Sequence, residues 1–156
     1  MNYIFDTSSF IVLGHYFPQR FPSFWNQFDA AIKSGTVGSV REVLNELSNH
    51  NANSTMNNWI KNNISIFKLP NQQELEFVQE IFNIKRFESL ISQKAILKGS
   101  PVADPFVIAS AKINNGIVVT EEKYKPESAK IPNICSHFNI QCTNPDGFME
   151  KENRIF

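Results

Sequence analysis

Short apolar runs alternate with amphipathic segments along the first half of the chain. Residues 2–5 are apolar and β-favouring, and the helix-capping group 6–9 follows, so the pattern predicts a strand, a carboxylate at its end and then a helix. Apolar residues recur at three- and four-residue steps over 24–32 and over 40–47, with the β-like run 36–39 between them. A strand-to-helix passage is therefore predicted twice.

The second half continues the alternation. Residues 45–63 hold eight Asn. The middle of this segment is predicted to be a turn between helices, with a helix around Trp59 and Ile60. The later segments predict a strand over 64–69, a helix opened by Pro70 and another over 87–97. They then predict a buried central helix that Asp104-Pro105 starts, a strand over 117–120, a helix over 133–138 and a last strand over 140–142. This alternation predicts an α/β fold with a right-handed parallel sheet covered on both faces.

Composition and charge narrow the class of protein. With 156 residues, 42% of them hydrophobic, and with 14 Phe, the chain is expected to fold by itself as one domain, residues 1–156. Lys plus Arg equals Asp plus Glu at 15 each, which argues against a strongly basic nucleic-acid coat. The sequence shows neither a signal-peptide pattern nor an apolar run of about 18 residues, so we expect a cytoplasmic protein without a membrane segment.

Acidic residues lie at the predicted strand ends. Asp6, Asp104 and Glu122 fall at the carboxyl edge of the predicted sheet, where open α/β sheets bind ligands, and Glu46 lies on the helix after the second strand. Carboxylates that converge there would repel one another unless cations bind, and oxygen ligands without His or Cys suit Mg²⁺ or Mn²⁺. Such a centre activates a water for attack on a phosphodiester.

Each acid also has a plainer interpretation. Asp6 is a candidate helix cap, and Asp104 before Pro105 has the form of an ordinary helix start. Glu42 competes with Glu46 on the same helix side, and Glu122 beside Glu121 fits a polar turn after a strand.

Other reactive and charged side chains lack a pattern that indicates chemistry. The three His show no metal-ligand spacing, and the two Cys are interpreted as buried reduced thiols. Scattered cations are interpreted as solubilising charge rather than RNA contacts, and the aromatic stripe with helical spacing as core. The residues concerned are His15, His50, His137, Cys135, Cys142, Lys85, Arg86, Lys94, Lys98, Lys123, Phe21, Phe24, Trp25 and Phe28.

Four ordered segments resemble one known family. The segments 6–8 (Asp-Thr-Ser), 43–47 (Val-Leu-Asn-Glu-Leu), 103–111 (Ala-Asp-Pro-Phe-Val-Ile-Ala-Ser-Ala) and 118–122 (Val-Val-Thr-Glu-Glu) are similar to those of PIN-domain ribonucleases, in particular the VapC-like toxins of bacterial toxin-antitoxin pairs. The resemblance spans residues 6–122. It implies a three-layer α/β/α fold with four or five parallel strands.

The resemblance also implies an activity and its residues. It implies a Mg²⁺- or Mn²⁺-dependent endoribonuclease toxin with an RNA substrate, a protein antitoxin and a homodimeric state. Asp6, Glu46 and Asp104 match family acids, whereas Glu122 stands where an Asp is usual, so Glu121 remains an alternative. Asn133 is neutral where the family often has another acid. Thr7, Ser8 and Thr120 are implied neighbours that bond ligands or substrate phosphate.

Three alternative functions remain. A housekeeping RNA-processing PIN nuclease and a catalytically silent PIN-like binding module both fit the same residues. A phosphate-signalling receiver domain also places Asp at strand ends, but it requires an adjacent acid pair after the first strand, and here Asp6 is followed by Thr-Ser-Ser.

Overall fold

Five parallel strands form the centre of the part of the molecule that the structure describes. The computed structural model describes residues 2–50 and 54–152. The strands are β1 (Tyr3–Phe5), β2 (Val37–Val40), β3 (Phe67–Lys68), β4 (Ile117–Val119) and β5 (Cys142–Thr143), in the sheet order β3-β2-β1-β4-β5. The apolar runs at residues 2–5, 36–39 and 117–120 thus form the three central strands, as predicted.

Helices fill the connections between the strands. In the described residues they are α1 (Thr7–Leu13), α2 (Pro22–Lys33), α3 (Arg41–Asn49), α4 (Ser54–Asn62), α5 (Gln72–Asn83), α6 (Lys85–Lys98), α7 (Asp104–Ile113), α8 (Ile131–His137) and α9 (Pro145–Lys151). The predicted α/β class with a parallel sheet is confirmed. No helix in this part of the chain is both long and apolar enough to cross a membrane.

The strand order creates a switch point beside β1. From β1 the chain moves outward to β2 and β3, then returns to place β4 on the other side of β1, with Phe5 opposite Val119. Since all pairs are parallel, the carboxyl ends of β1, β2 and β4 meet at one edge. Ligand sites of open α/β sheets lie outside such an edge, at the switch point.

An aromatic core holds this edge in place. The Phe5 ring lies 5.7 Å from Phe10, 5.6 Å from Phe28 and 5.2 Å from Phe148, measured between ring centroids. Such ring pairs contribute beyond the area that they bury. The predicted aromatic stripe is core, except that Phe21 is 43% exposed.

Helix α7 is the buried central helix that the sequence predicts. It packs against β1, β2, β4 and α5, and Val107, Ile108, Ala109 and Ala111 are fully buried. Because its first residue is Asp104, this packing positions a carboxylate at the sheet edge.

Four segments differ from the prediction, one of them the last strand, which was expected over 140–142 and is Cys142–Thr143. Residues 64–69 form a 3₁₀ turn, Ile64–Ile66, before the short β3 rather than one long strand. Helix α5 begins after Asn71, whose side chain and that of Glu74 make a reciprocal cap, so Pro70 lies outside the helix. Helix α9 was not predicted, and the predicted turn in the Asn-rich segment falls at 51–53, outside the described residues.

Candidate functional site

Asp6 lies directly after β1 and is 4% exposed. It caps α1, because the Ser9 N–H donates to Oδ1 over 2.8 Å and the Ser8 hydroxyl reaches both carboxylate oxygens. From the end of β4, the Thr120 hydroxyl donates to Oδ2 over 2.6 Å. Burial raises the pKa of Asp6 above its ordinary value, although these hydrogen bonds oppose the shift. The predicted capping role is confirmed, and neutral donors fix the carboxylate.

Glu46 projects from α3 toward the start of α7. Its Oε1 accepts from the Ala103 N–H over 3.0 Å and from the Lys98 ammonium, and its Oε2 accepts from the Thr7 hydroxyl. The side chain is 10% exposed. Burial raises the pKa of Glu46, but the bonds from Lys98, Thr7 and Ala103 outweigh it and hold the pKa below its ordinary value. This carboxylate is therefore ionised and oriented.

Asp104 is the first residue of α7 rather than its cap. A helix does start at this pair, as predicted, but its cap position is Ala103, which makes no side-chain cap bond, so the expectation that the Asp104 side chain caps the helix is wrong. Its Oδ2 instead accepts from the Lys94 ammonium over 2.7 Å. Burial raises the pKa of Asp104 to about 6, the Lys94 charge opposes this and the Glu122 charge adds to it. The carboxylate thus has no capping role and is paired with Lys94.

Glu122 follows β4 and connects three elements. The N–H of Ile131, at the start of α8, donates to Oε2 over 2.8 Å, and the Glu122 N–H donates to Thr120 Oγ1 over 3.1 Å. Lys94 Nζ lies 3.6 Å from Oε1. The side chain is 20% exposed, so it lines the edge of the sheet and remains in contact with solvent.

The two alternative acids differ from Glu122 and Glu46 in their contacts. Glu121 is exposed, and only its backbone N–H takes part, donating to Ser8 Oγ over 3.0 Å. Glu42 is half-buried, and its Oε2 has no hydrogen-bond partner among the described residues. The geometry thus favours Glu122 over Glu121 and Glu46 over Glu42 as members of the site.

The four predicted acids share one edge of the sheet. Thr120 and Lys94 link neighbouring acids, and Thr7, next to Asp6 in the chain, bonds Glu46. Ser8 Oγ also lies 3.4 Å from Thr120 Oγ1. All three predicted neighbours, Thr7, Ser8 and Thr120, therefore orient acids. We call the four acids, Asp6, Glu46, Asp104 and Glu122, the acid cluster.

The acid cluster has the carboxylate oxygens that a hard cation requires, but its side chains are not arranged to hold one. Within residues 2–50 and 54–152, no three Asp, Glu, His or Cys side chains are gathered closely enough to hold a metal ion as they stand. Two lysine ammonium groups instead contact three of the carboxylates. Carboxylate oxygens are the ligands that Mg²⁺ and Mn²⁺ prefer, so these residues fit such an ion once the two lysine ammonium groups move away.

Lys94 and Lys98 are the residues that sequence reasoning misinterpreted. The expectation that they are solubilising charge is wrong, because both bond acids of the cluster. The signal in the sequence was their four-residue spacing on the helix before Asp104, which places both ammonium groups on one helix face. Lys85, Arg86 and Lys123 are exposed, as that interpretation expects.

The remaining neutral candidates have structural positions. Asn133 is 5% exposed, and its amide bonds the backbone of Lys125 in both directions, over 2.6 and 3.3 Å. It braces the segment between Glu122 and α8. Cys135 is buried and Cys142 is half-buried, and both are free thiols.

Comparisons with known proteins give one family model and similar solved structures. A family model described as a domain of unknown function, DUF4411, matches residues 3–156. No curated protein sequence matches the chain. Among solved structures, the chain is similar to VapBC2 from Rickettsia felis bound to a DNA fragment from their promoter, with TM-score 0.51, 16% identity and coverage of 92% of this chain and 98% of that chain. PAE2754 from Pyrobaculum aerophilum gives TM-score 0.44, 13% identity and coverage of 89% and 97%.

These comparisons establish two things. At 16% identity the likeness to VapBC2 shows the fold alone, and it confirms the predicted PIN-like α/β fold. Of the four or five parallel strands predicted, the described residues form five. The family model covers nearly the whole chain. This protein therefore belongs to the family described as a domain of unknown function, DUF4411.

Proposed function

We propose that this protein is a Mg²⁺- or Mn²⁺-dependent endoribonuclease whose metal ligands and catalytic residues are the acid cluster. One observation carries the proposal: four carboxylates that are distant in the chain lie at the carboxyl edge of the sheet, beside the switch point, where hydrogen bonds and an ion pair link Asp6, Glu122 and Asp104 and the Thr7 hydroxyl, next to Asp6 in the chain, bonds Glu46. This edge is where α/β folds bind ligands. A network of this kind is costly in a purely structural role, because buried acids repel one another.

The chain's own residues would orient the acids for this reaction. When bound, the divalent cation supplies an activated water and stabilises charge on the phosphodiester. Ser8 and Thr120 hold both oxygens of Asp6, and Thr7 holds one oxygen of Glu46. Hydrogen bonds that orient metal ligands contribute strongly to the affinity of a site for its metal. The same three hydroxyl groups lie at the edge where substrate phosphate would approach.

We further propose a biological context for the activity. The resemblance of the four motif segments to VapC-like toxins, together with the fold shared with VapBC2, supports a toxin of a toxin-antitoxin pair. A protein antitoxin would cover the acid cluster, and the toxin would act as a single-domain homodimer on RNA in the cytoplasm. Expression of the chain alone in a bacterial host should arrest growth, and Asp6→Asn should relieve the arrest. Normal growth with the unaltered chain, expressed at the same level, favours the housekeeping nuclease.

The decisive experiment is cleavage of a labelled single-stranded RNA by the purified protein with Mg²⁺, with Mn²⁺ or with EDTA. We expect cleavage with either cation, none with EDTA, and a loss of at least about a hundredfold in Asp6→Asn and Asp104→Asn, more than loss of an outer-shell partner causes. Asp146→Asn, an exposed acid at the start of α9, is the matched control. Cleavage by both ligand variants at the control rate would refute the site.

The same assay decides between neighbouring acids. Glu122→Gln should lower cleavage more than Glu121→Gln, because only the Glu122 side chain contacts Lys94 and α8. The reverse order would assign the fourth ligand to Glu121.

A catalytically silent binding module is the second candidate, and the lysines favour it. Lys94 and Lys98 already neutralise three acids, as a site that never binds metal would require. Mn²⁺ titration with thermal melting separates the two candidates, since an ion that binds the native state raises its melting temperature. An unchanged melting temperature, together with no RNA cleavage, would establish the silent module.

A further inference from the structure

Helix α6 presents two lysines to the acid cluster. Lys94 and Lys98 are one helical turn apart, so their side chains share a face. Lys94 Nζ lies 2.7 Å from Asp104 and 3.6 Å from Glu122, and Lys98 bonds Glu46. Among the described residues, no other cation is paired with the acid cluster.

We propose that Lys94 and Lys98 are the substrate-phosphate contacts of this site, and that they double as its counter-ions until a divalent cation displaces them. The inference rests on the proposed nuclease function. It assigns an RNA-binding role to α6, a helix that contributes no acid to the cluster.

Displacement follows from the charges and from the exposure of the side chains. A divalent cation held by the same carboxylates would stand within a few ångströms of two ammonium groups, and like charges at that distance repel. The Lys94 and Lys98 side chains are 49% and 32% exposed, so each ammonium has a path into solvent. Lysine suits this exchange, because its charge sits at the end of a flexible four-carbon stem.

The displaced ammonium groups have an obvious new partner. A phosphodiester that reaches the cation brings negative charge to the same edge, and the two lysines border it from α6. Lysine binds phosphate as a point charge, with no need for a fixed geometry. One pair of side chains would therefore serve the metal-free and the RNA-bound states in turn.

A structural role for the lysines makes a different prediction. If they only fasten α6 to α7 and α3, removal of either charge destabilises the protein and leaves metal affinity the same or weaker. If they compete with the cation, removal strengthens metal binding. The direction of the change in metal affinity therefore distinguishes the two roles.

The first measurement is calorimetric titration of Mn²⁺ into the full chain and into Lys94→Met and Lys98→Met. We expect the dissociation constant to fall by about two- to fivefold for each lysine, the fold-change that corresponds to a partly exposed ion pair. Lys85→Met, an exposed lysine at the start of the same helix, is the control and should not change it. An unchanged or larger constant in both variants would overturn the exchange.

The second measurement is binding of a fluorescent single-stranded RNA in Ca²⁺, with the RNA checked on a gel after each titration. Each lost lysine should reduce the salt slope of log affinity by about 0.7, the value for one phosphate contact to a single strand. Lys94→Arg keeps the charge and should keep the slope. An unchanged slope in both Met variants would overturn the phosphate role.

Failure of this inference can be told from failure of the proposed function. Melting in EDTA shows which variants fold, and the lysines are tested separately so that either can decide the outcome. RNA cleavage by the unaltered chain with no lysine effect refutes only the lysine assignment. Metal exchange and RNA binding without cleavage refute only the nuclease.

Discussion

The two halves of the acid cluster are stabilised by different groups. On the strand side, Asp6 accepts hydrogen bonds from two hydroxyls and one amide, and the described residues include no ion pair with it. On the helix side, Asp104 and Glu46 are each paired with a lysine. Neutral groups alone therefore hold Asp6, whereas both helix-side acids also have a charged partner, and Lys94 reaches across to Glu122 on the strand side.

The two halves therefore differ in how the acids are oriented and in how their charge is compensated. Short hydroxyl and amide contacts from α1 and β4 fix the direction of the Asp6 carboxylate but leave its charge uncompensated, which is why burial raises its pKa. The lysines compensate charge, yet they reach the site on flexible, partly exposed side chains. The strand half is therefore preorganised, whereas the helix half is exchangeable. Single substitutions can disrupt one half while the other stays intact.

The largest expected effect is on the pH dependence of stability in the helix half. Burial raises the pKa of Asp104 from 3.8 to about 6, although Lys94 opposes the shift. A carboxyl that holds its proton more tightly when folded stabilises the fold at low pH, and this contribution is lost as pH rises from about 4 to 6. The change is about 3 kcal/mol in the free energy of unfolding, at ~1.4 kcal/mol per pKa unit.

Asp104→Asn should remove that loss. Urea denaturation in EDTA at pH 4, 5, 6 and 7 measures it, and the free energy of unfolding of the unaltered protein should fall relative to that of Asp104→Asn across this window. Asp146→Asn, at an exposed position, should follow the unaltered protein. Parallel curves for Asp104→Asn and the unaltered protein would mean that Asp104 is already ionised at pH 4.

The positions of the strand-side acids could be predicted from sequence, because each follows an apolar run that is a strand. An apolar run followed by Asp6 predicts a strand end, and parallel strands bring their carboxyl ends to one edge, so Asp6 and Glu122 followed from the pattern. The lysine contacts could not be predicted in this way. They depend on how α6 packs beside α7, and the charge pattern of α6 alone fits a solvated helix equally well.

The same reason explains the local errors in the fold. Residues 64–69 are apolar enough for a strand, but a 3₁₀ turn takes the first three and leaves two for β3. The Asp104-Pro105 pair predicted a helix start correctly, yet it did not reveal that Asp104 bonds Lys94 instead of capping. Local propensity predicts elements, and tertiary contacts decide what their ends do.

Thr120→Val, in the strand half, should have the second-largest effect, a loss of metal affinity and of RNA cleavage. Its hydroxyl donates to Asp6 and accepts from the Glu122 N–H, so valine leaves both groups without that partner. Loss of an outer-shell bond of this kind lowers metal affinity or activity by about 10- to 100-fold. RNA cleavage and Mn²⁺ titration measure the two quantities. Thr120→Ser keeps the hydroxyl and should retain most of both, and equal losses in the Val and Ser variants would assign the effect to packing.

The smallest effect separates the charge of Asp6 from its hydrogen bonds. Asp6→Ala removes the α1 cap and should lower the free energy of unfolding in EDTA by about 1–2 kcal/mol. Asp6→Asn keeps an oxygen for the Ser9 N–H and removes a buried charge that is uncompensated, so it should equal or exceed the unaltered protein in stability while losing cleavage. Urea denaturation of both variants tests this pair. If Asn destabilised the fold as much as Ala, the ionised carboxylate itself would be holding α1, and the strand half would depend on charge as the helix half does.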